Sequence, residues 1–212
     1  MFVKGLPKNI QSNLALLGKS GVTKWFYLAG GTATALWLGH RISVDLDFFT
    51  QKSFDSKKLQ AKLKKLGNLE VENISEGTFN SVFEGTTLSF FIYPYPLLEE
   101  CEKIWEVQIA GLTDIACMKI DAISSRGTKR DFVDLYFICQ KHDSLVNLLA
   151  AFDKKYRGSG CSRIHVLKSL TYFADAEEQA MPRMLIPVKW KDIKQFFEKE
   201  VEKIGMKFLK GE

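Results

Sequence analysis

Residues 28–49 read LAGGTATALWLGHRISVDLDFF, and the order of features in this stretch decides the fold that we expect. The apolar and aromatic segment from Trp25 to Ala29 has the composition of a buried strand. Two glycines follow it, and glycine allows a tight turn and a close approach of the backbone to a ligand. Apolar residues then recur with helical spacing from Thr32 to Gly39. The pattern therefore predicts a strand, a turn and a short helix with Thr32 as its N-cap.

The glycine turn is a candidate binding site for a phosphate group. Gly30, Gly31 and Thr32 lie where the first amides of the predicted helix and the positive end of its dipole favour an anion. Arg41 follows the helix and is long enough to reach a triphosphate. Ser43 is either a further nucleotide contact or a local hydrogen-bonding residue. Glycine pairs also occur in ordinary turns, which is the alternative structural interpretation.

An acidic pair follows on the next predicted strand. Residues Val44 to Phe48 alternate apolar and acidic side chains, which is the period of a β-strand. Asp45 and Asp47 should therefore share one face with their Cα atoms about 6.6 Å apart, while Val44, Leu46 and Phe48 point to the opposite, buried face. Magnesium prefers one or two carboxylates together with phosphate oxygens. The pair thus predicts a metal site, although the same pattern also occurs on solvated strand faces.

A second group of charged residues lies on two predicted helices. Residues 114–126 have helical spacing and end at a glycine, and Lys119 and Arg126 fall on nearly the same face of this helix. Asp131 and Asp134 are three residues apart on the following helix and are therefore neighbours. Contact between the two helices would bring the cations to the carboxylates. The group is either an ordinary salt-bridged hairpin or a site for an anionic ligand.

Two blocks of the chain resemble the AbiEii/AbiGii toxin family of nucleotidyltransferase-like proteins, a branch of the DNA polymerase β-like nucleotidyltransferase fold. The first block runs from Gly30 to Phe49, and the second from Lys119 to Tyr136. The resemblance implies an α+β protein in which a mixed sheet with flanking helices precedes a mainly helical C-terminal part. It also implies that Lys119 contacts the nucleotide phosphates and that Asp131 or Asp134 is an acidic or orienting residue of the site.

The resemblance further implies a metal-dependent nucleotidyltransferase. Asp45 and Asp47 would bind Mg²⁺ or Mn²⁺, and the glycine turn would hold the NTP. The family implies transfer of a nucleotide to tRNA or another cellular target, within a toxin–antitoxin or phage-defence system that supplies a cognate antitoxin partner. Neither a Walker loop nor the protein-kinase motifs occur, which disfavours the kinase class.

One feature of the sequence departs from the family pattern. Nucleotidyltransferases of this fold usually carry a third carboxylate on a neighbouring strand, but the predicted strand from Thr87 to Tyr93 has none. The stretch where it would be expected is occupied by Ser89, Phe90, Phe91 and Ile92. Glu84 precedes this strand at a Glu-Gly turn and is expected to be a hairpin residue. The alternative function is therefore a catalytically degenerate module that binds RNA or protein.

The order of predicted elements suggests two domains. Strands are expected at residues 69–74, 78–83, 87–93 and 105–109, with a lysine-rich helix at residues 56–66. Tyr93-Pro94-Tyr95-Pro96 interrupts the strand pattern and suggests a boundary near residue 98. We therefore expect a nucleotidyltransferase core at residues 1–98 and a mainly helical domain at residues 99–212 that completes the site.

Composition narrows the class of protein. No apolar run reaches the roughly 18 residues of a membrane span, and the N-terminus does not begin a secretory signal, so we expect a cytoplasmic protein without a membrane partner. The four cysteines are dispersed, which disfavours a zinc site and suits a reducing compartment.

The net charge of +5 is concentrated in two lysine- and arginine-rich clusters, which are either RNA-binding surfaces or solvated helix faces. Their members are Lys57, Lys58, Lys62, Lys64 and Lys65 in the first, and Lys154, Lys155, Arg157, Arg163 and Lys168 in the second.

Overall fold

A mixed β-sheet forms the N-terminal part of the protein, and helices form the C-terminal part. The computed structural model describes residues 1–210. Within them the chain divides into two compact units, Met1–Gly111 and Leu112–Glu212, of which residues 211 and 212 lie outside the described range. The sheet and its helices confirm the predicted α+β fold.

The first unit contains the sheet. Among the described residues the strand order is β3-β4-β5-β2-β1-β7-β6, in which β1 pairs antiparallel with β2 and parallel with β7, and β2 pairs parallel with β5. Its elements are the 3₁₀ helix Val3–Gly5, helices α1 (Lys8–Lys19), α2 (Gly30–Leu38) and α3 (Ser56–Lys64), and strands β1 (Tyr27–Leu28), β2 (Leu46–Thr50), β3 (Leu69–Ser75), β4 (Thr78–Phe83), β5 (Thr86–Ile92), β6 (Glu102–Ile104) and β7 (Val107–Ile109).

Alternating side chains build the core of this unit. Phe48 and Phe90 lie on neighbouring parallel strands in register and stack with their ring centroids 5.2 Å apart. Phe79 on β4 meets the same ring of Phe90 edge to face. Helix α1 contributes Leu14 and Leu17, whose side chains are fully buried. Burial of such large apolar groups is the main stabilising term in folding.

The end of the first unit differs from the predicted boundary near residue 98. Residues 105–109 were expected to form one strand, but Trp105 and Glu106 have positive φ values of 50° and 64° and form the turn of the β6–β7 hairpin. Because β7 pairs with β1, this hairpin belongs to the sheet, and the compact units divide after Gly111.

The second unit is helical. Helix α4 packs against α5, α6 and α7, and the ring of Phe132 on α5 contacts Phe173, Trp190 and Phe197. Its elements are α4 (Leu112–Ser125), α5 (Lys129–Lys141), α6 (Leu145–Lys155), α7 (Arg163–Ser169), α8 (Ala174–Glu177) and α9 (Trp190–Lys210). No helix within residues 1–210 combines the length and the apolar content that crossing a bilayer requires.

Candidate functional site

The pairing of β1 with β2 places Asp47 beside the glycine turn. Leu28 lies opposite Phe48 in this antiparallel pair, and the amide of Ala29 donates a hydrogen bond to the carbonyl oxygen of Asp47 at 3.1 Å. The next residue of the chain is Gly30, where α2 begins. The register of the sheet therefore brings the acidic strand to the turn, as the order of the two motifs predicted.

The Asp47 carboxylate lies beside Gly30. Its φ is +66°, a left-handed conformation that favours glycine. A Cβ at this position would lie 3.0 Å from Asp47 Oδ2, so the carboxylate faces the start of the helix. Both the backbone conformation and the nearby carboxylate disfavour any larger residue here.

Gly31 faces a different pair of side chains. A Cβ at Gly31 would overlap Arg41 Nη2 and would lie 3.1 Å from Ser43 Oγ. Arg41 is only 3% exposed, and its Nη1 donates a hydrogen bond to the carbonyl oxygen of Ile42 at 3.1 Å. The turn thus has the carboxylate of Asp47 on one side and a guanidinium with a hydroxyl on the other.

The prediction that Thr32 caps α2 is wrong. The helix begins at Gly30 with Ala29 as its N-cap, and Ala29 makes no side-chain capping bond. The Thr32 hydroxyl is instead hydrogen-bonded to the Ser43 hydroxyl, with the two oxygens 3.0 Å apart, and donates to the carbonyl oxygen of Asp45. Thr32 and Ser43 therefore hold the loop before β2 against the first turn of the helix.

The acidic strand begins two residues later than predicted. Strand β2 starts at Leu46, so Asp45 is the last residue of the loop before the strand. Leu46 and Phe48 are fully buried as expected, but Val44 is 48% exposed, and its predicted burial is wrong. The loop position of Val44 explains the difference, because strand alternation does not extend to it. Asp45 and Asp47 are both half-buried and remain open to a ligand in part.

Strand β5 carries no carboxylate. Ser89 lies directly opposite Asp47 in the parallel pair of β2 and β5, and it is 7% exposed. Glu84 has a φ of 47° and forms the β4–β5 turn with Gly85, which confirms its prediction as a hairpin residue. Among residues 1–210 no group of three or more histidine, cysteine, aspartate or glutamate side chains is arranged to hold a metal ion.

The second predicted group is assembled within the helical unit. Lys119 Nζ lies 2.9 Å from Asp131 Oδ1 and 2.7 Å from Asp134 Oδ2, and at least 92% of each of these side chains is buried. Arg126 Nε lies 3.4 Å from Asp131 Oδ2, but the Arg126 side chain is 66% exposed. The predicted contact between these cations and carboxylates is confirmed, whereas their roles toward a nucleotide stay predictions.

Asp131 is ionised by its surroundings. Burial raises the pKa of this carboxyl group, but the Lys119 ammonium, the Thr128 hydroxyl and the Arg126 guanidinium outweigh burial and hold the pKa below its ordinary value. The Thr128 hydroxyl donates to Asp131 Oδ2 at 2.6 Å and also caps α5. Asp131 therefore links the two helices in its charged form.

The two lysine- and arginine-rich clusters differ in how far their side chains are exposed. The lysines of α3 are exposed, as a solvated or RNA-binding face requires. In the second cluster, Lys155 is fully buried and its Nζ lies 2.6 Å from Asp114 Oδ1, while Arg163 pairs with Asp153. The assignment of Lys155 to a surface cluster is therefore wrong, because its apolar neighbours on α6 draw it into the core.

Trp25 is a further residue that the sequence pattern misplaced. Strand β1 contains only Tyr27 and Leu28, and Trp25 lies in the preceding turn with 68% of its surface exposed. No signal in the apolar segment distinguished this tryptophan from its buried neighbours.

Comparison with known proteins identifies the family of the chain. Residues 14–96 and 88–207 match the family described as "Nucleotidyl transferase AbiEii toxin, Type IV TA system". An uncharacterized protein of Aquifex aeolicus (strain VF5) is 40% identical over 205 residues, which cover 94% of this chain and 98% of that protein.

Two solved structures share the fold. A candidate nucleotidyltransferase from H. pylori has a TM-score of 0.58 and 18% identity, with 96% of each chain covered. MenT4, a nucleotidyltransferase toxin from Mycobacterium tuberculosis H37Rv, has a TM-score of 0.56 and 12% identity, with 92% of this chain and 84% of that chain covered. Because the family match spans most of the sequence, the chain belongs to the AbiEii nucleotidyltransferase toxin family of type IV toxin–antitoxin systems.

Proposed function

We propose that this chain transfers a nucleotide from an NTP to an RNA acceptor in a metal-dependent reaction. The observation that carries the proposal is the position of the Asp47 carboxylate beside the glycine turn at the start of α2. A phosphate held by the first amides of a helix would there lie next to a carboxylate able to bind a divalent cation.

The residues around the turn suit the triphosphate of an NTP. The amides at the start of α2, at Gly30, Gly31 and Thr32, have no earlier helical turn to bond to and can donate to phosphate oxygens. Arg41 is buried against Gly31 and supplies positive charge at the same place. A guanidinium binds phosphate oxygens through two parallel hydrogen bonds, which orients the chain of phosphates.

The two aspartates fit a Mg²⁺ or Mn²⁺ ion. Asp45 and Asp47 provide two carboxylates, and the nucleotide would provide the remaining oxygen ligands, which is the composition that magnesium prefers. When bound, the ion supplies neutralisation of the phosphate charge and orientation of the leaving group. Thr32 holds Asp45 through its backbone carbonyl, and Gly30 leaves room for the Asp47 carboxylate.

The proposed reaction displaces pyrophosphate. An acceptor hydroxyl oxygen forms a bond to the α-phosphorus, the bond from that phosphorus to the bridging oxygen breaks, and the hydroxyl proton passes to water. The protein contributes mainly position and charge neutralisation, as in other phosphoryl-type transfers. The buried Arg41 and the helix amides would hold the β- and γ-phosphates as they become the leaving group.

Membership of the family supports the biological setting that we propose. The chain would act as the toxin of a pair whose cognate antitoxin restrains it, with tRNA as the acceptor and phage defence as the outcome. Co-expression of the chain with its antitoxin tests whether the antitoxin restrains the toxin. Growth arrest on induction of the chain, relieved by the neighbouring antitoxin gene and absent for Asp47→Asn, is the expected result.

Transfer itself is tested with purified protein. Incubation with each α-³²P-labelled NTP, Mg²⁺ and total RNA should label RNA, and EDTA should prevent labelling. Asp45→Asn and Asp47→Asn should reduce the label at least about a hundredfold, since each removes a metal ligand. The matched control is Asp192→Asn, at an exposed position of α9, which should label RNA at the wild-type rate. Equal labelling by Asp47→Asn and the wild type would refute the proposal.

A catalytically degenerate binding module is the second candidate. It is favoured by the absence of a carboxylate on strand β5, which places Ser89 opposite Asp47. Nucleotidyltransferases of this fold usually carry a third carboxylate on a neighbouring strand. This candidate expects RNA or protein binding without labelling by any of the four NTPs. The labelling experiment therefore separates the two functions.

The catalytic role of the second charged group stays a prediction. Lys119 is already held by two carboxylates, so its substitution should affect folding as well as any chemistry. Lys119→Arg keeps the charge and Lys119→Met removes it. A variant that labels no RNA while unfolding at the wild-type temperature would support a direct role, whereas parallel losses would indicate a structural one.

A further inference from the structure

Trp25 is exposed in a segment that is otherwise buried. Its side chain is 68% exposed, whereas the next two residues, Phe26 and Tyr27, are 5% and 4% exposed. Exposing most of an indole ring forgoes roughly 2 kcal/mol or more of apolar burial. The ring is therefore available for a contact that the isolated chain does not make.

Two lysines surround the Trp25 ring. Lys24 Nζ lies 5.2 Å and Lys52 Nζ 5.7 Å from the ring centroid, which is the distance of a cation–π contact. Lys24 is the preceding residue, whereas Lys52 follows the end of strand β2, which is the direct antiparallel neighbour of β1. Both lysines are exposed, so their flexible stems can move the ammonium groups from the ring to an incoming anion.

The basic surface continues onto α3. Phe26 meets Phe54 edge to face at 5.3 Å, which ties the Trp25 turn to the segment that enters this helix. Lys57 and Lys58 are exposed near the start of α3, and the carboxylate that faces them is Asp55, 3.7 Å from Lys58. The apolar residues of α3, Leu59 and Leu63, are buried and do not contribute to the surface.

We infer that Trp25, Lys24, Lys52 and the start of α3 form a binding surface for single-stranded RNA. Proteins bind single strands by stacking bases on aromatic rings and by holding the phosphates with cations, and this surface provides both. One exposed ring among lysines provides little apolar area to insert into a membrane. The inference rests on the proposed function. It adds that the acceptor RNA binds to the first compact unit, which also contains Asp47.

The surface lies within reach of the glycine turn. Gly30 is the fifth residue after Trp25, so their Cα atoms are at most about 18 Å apart. A strand stacked on Trp25 can therefore extend to the turn within a few nucleotides. The inferred role of Trp25 is to hold the acceptor strand, and it takes no part in the chemistry.

Binding is measured without NTP or metal, so that transfer does not enter the result. The probe is a fluorescein-labelled single-stranded RNA of about 12 nucleotides, followed by fluorescence anisotropy. Trp25→Ala should weaken binding about 5- to 150-fold, as expected for loss of one stacked base, while Trp25→Phe should retain most of the affinity. The matched charge control is Lys103→Gln, an exposed lysine on β6, which should bind like the wild type.

The salt dependence tests the lysines separately. For Lys24→Gln with Lys52→Gln, the slope of log affinity against log salt should fall by about 1.4, since each lost phosphate contact contributes about 0.7 for a single strand. Circular dichroism establishes that each variant is folded. Wild-type affinity in Trp25→Ala would overturn the inference, and so would preferential binding of duplex RNA or of anionic vesicles.

The two proposals fail in different ways. RNA binding through Trp25 without labelling by any NTP would refute the proposed transfer and leave the surface intact. Labelling of RNA that is unaffected by Trp25→Ala, together with unchanged affinity, would refute the surface and leave the transfer intact.

Discussion

Alanine variants of Gly30 and Gly31 test the proposed NTP site. The two substitutions differ in the backbone strain that they introduce and in the side chains that the new Cβ would displace. Gly30 has a φ of +66°, where alanine costs roughly 1–2 kcal/mol. Its Cβ would also lie 3.0 Å from Asp47 Oδ2. For a protein of this length, Gly30→Ala should therefore lower Tm by about 2–8 °C and disturb the Asp47 carboxylate.

Gly31→Ala should behave differently. Gly31 has no positive φ, and alanine in a helix is favoured over glycine by about 0.8–1 kcal/mol. The new Cβ would displace the Arg41 guanidinium, at the cost of a hydrogen bond from a charged group of about 1.5–3 kcal/mol. The helical gain offsets part of this cost, so the free energy of unfolding should fall by no more than about 2 kcal/mol. Binding of an NTP, however, should weaken about 10- to 150-fold because the guanidinium no longer lies at the turn.

Two other glycines provide matched controls. Gly21 has a φ of +72° with no atom within 4 Å of a Cβ there, so Gly21→Ala reproduces the strain of Gly30→Ala away from the site. Gly205 lies in α9 without positive φ and with open space, so Gly205→Ala reproduces the helical gain of Gly31→Ala. Titration of a fluorescent NTP analogue with Mg²⁺ measures binding, and thermal unfolding measures stability. The reasoning is refuted if Gly31→Ala binds the analogue like the wild type, or if either control loses binding.

Three further outcomes follow from the structure. Lys155→Met should lower the free energy of unfolding by about 3–5 kcal/mol, because it removes the cation that compensates the buried Asp114 carboxylate. Lys154→Met, at an exposed position, should change the free energy of unfolding by less than about 0.5 kcal/mol. Urea unfolding followed by far-UV circular dichroism compares the two variants. Because its folded-state pKa is lowered, Asp131 stabilises the fold above its unfolded pKa of about 3.9, and this contribution is lost as pH falls further. The stability advantage of the wild type over Asp131→Asn should therefore shrink below about pH 4, and an advantage that stays constant to pH 3 would contradict the linkage. Ser89→Asp should lower Tm without metal through repulsion with Asp47, and Mg²⁺ should raise the Tm of this variant more than that of the wild type.

Local sequence patterns were sufficient to predict the C-terminal end of α2 and the two faces of β2. Gly39 terminates α2 in the left-handed conformation, as expected of a C-terminal glycine. The alternation of Leu46, Asp47 and Phe48 also gave the correct faces of β2. These features depend on backbone sterics and on side-chain alternation, which are properties of a few adjacent residues.

Features that depend on tertiary contacts were not predictable in the same way. Thr32 has the residue type of an N-cap, but its hydroxyl bonds to Ser43 and Asp45, which are 11 and 13 residues further along the chain. Lys155 has the residue type of a surface cation, but a partner 41 residues away, Asp114, compensates its burial. Capping and exposure preferences describe the average environment of a residue, and a specific distant partner overrides them.

The charges around the glycine turn explain why the proposed reaction requires a divalent cation. Asp45 and Asp47 bring two acidic side chains to the turn and Arg41 brings one basic side chain, so their formal charges sum to −1. A nucleoside triphosphate is itself strongly anionic, and the helix dipole offers only about half a positive charge. Without a cation the two carboxylates would repel the phosphates that the amides and Arg41 attract. A bound Mg²⁺ would reverse the sign of this charge, and the same carboxylates would then become part of the proposed phosphate-binding surface.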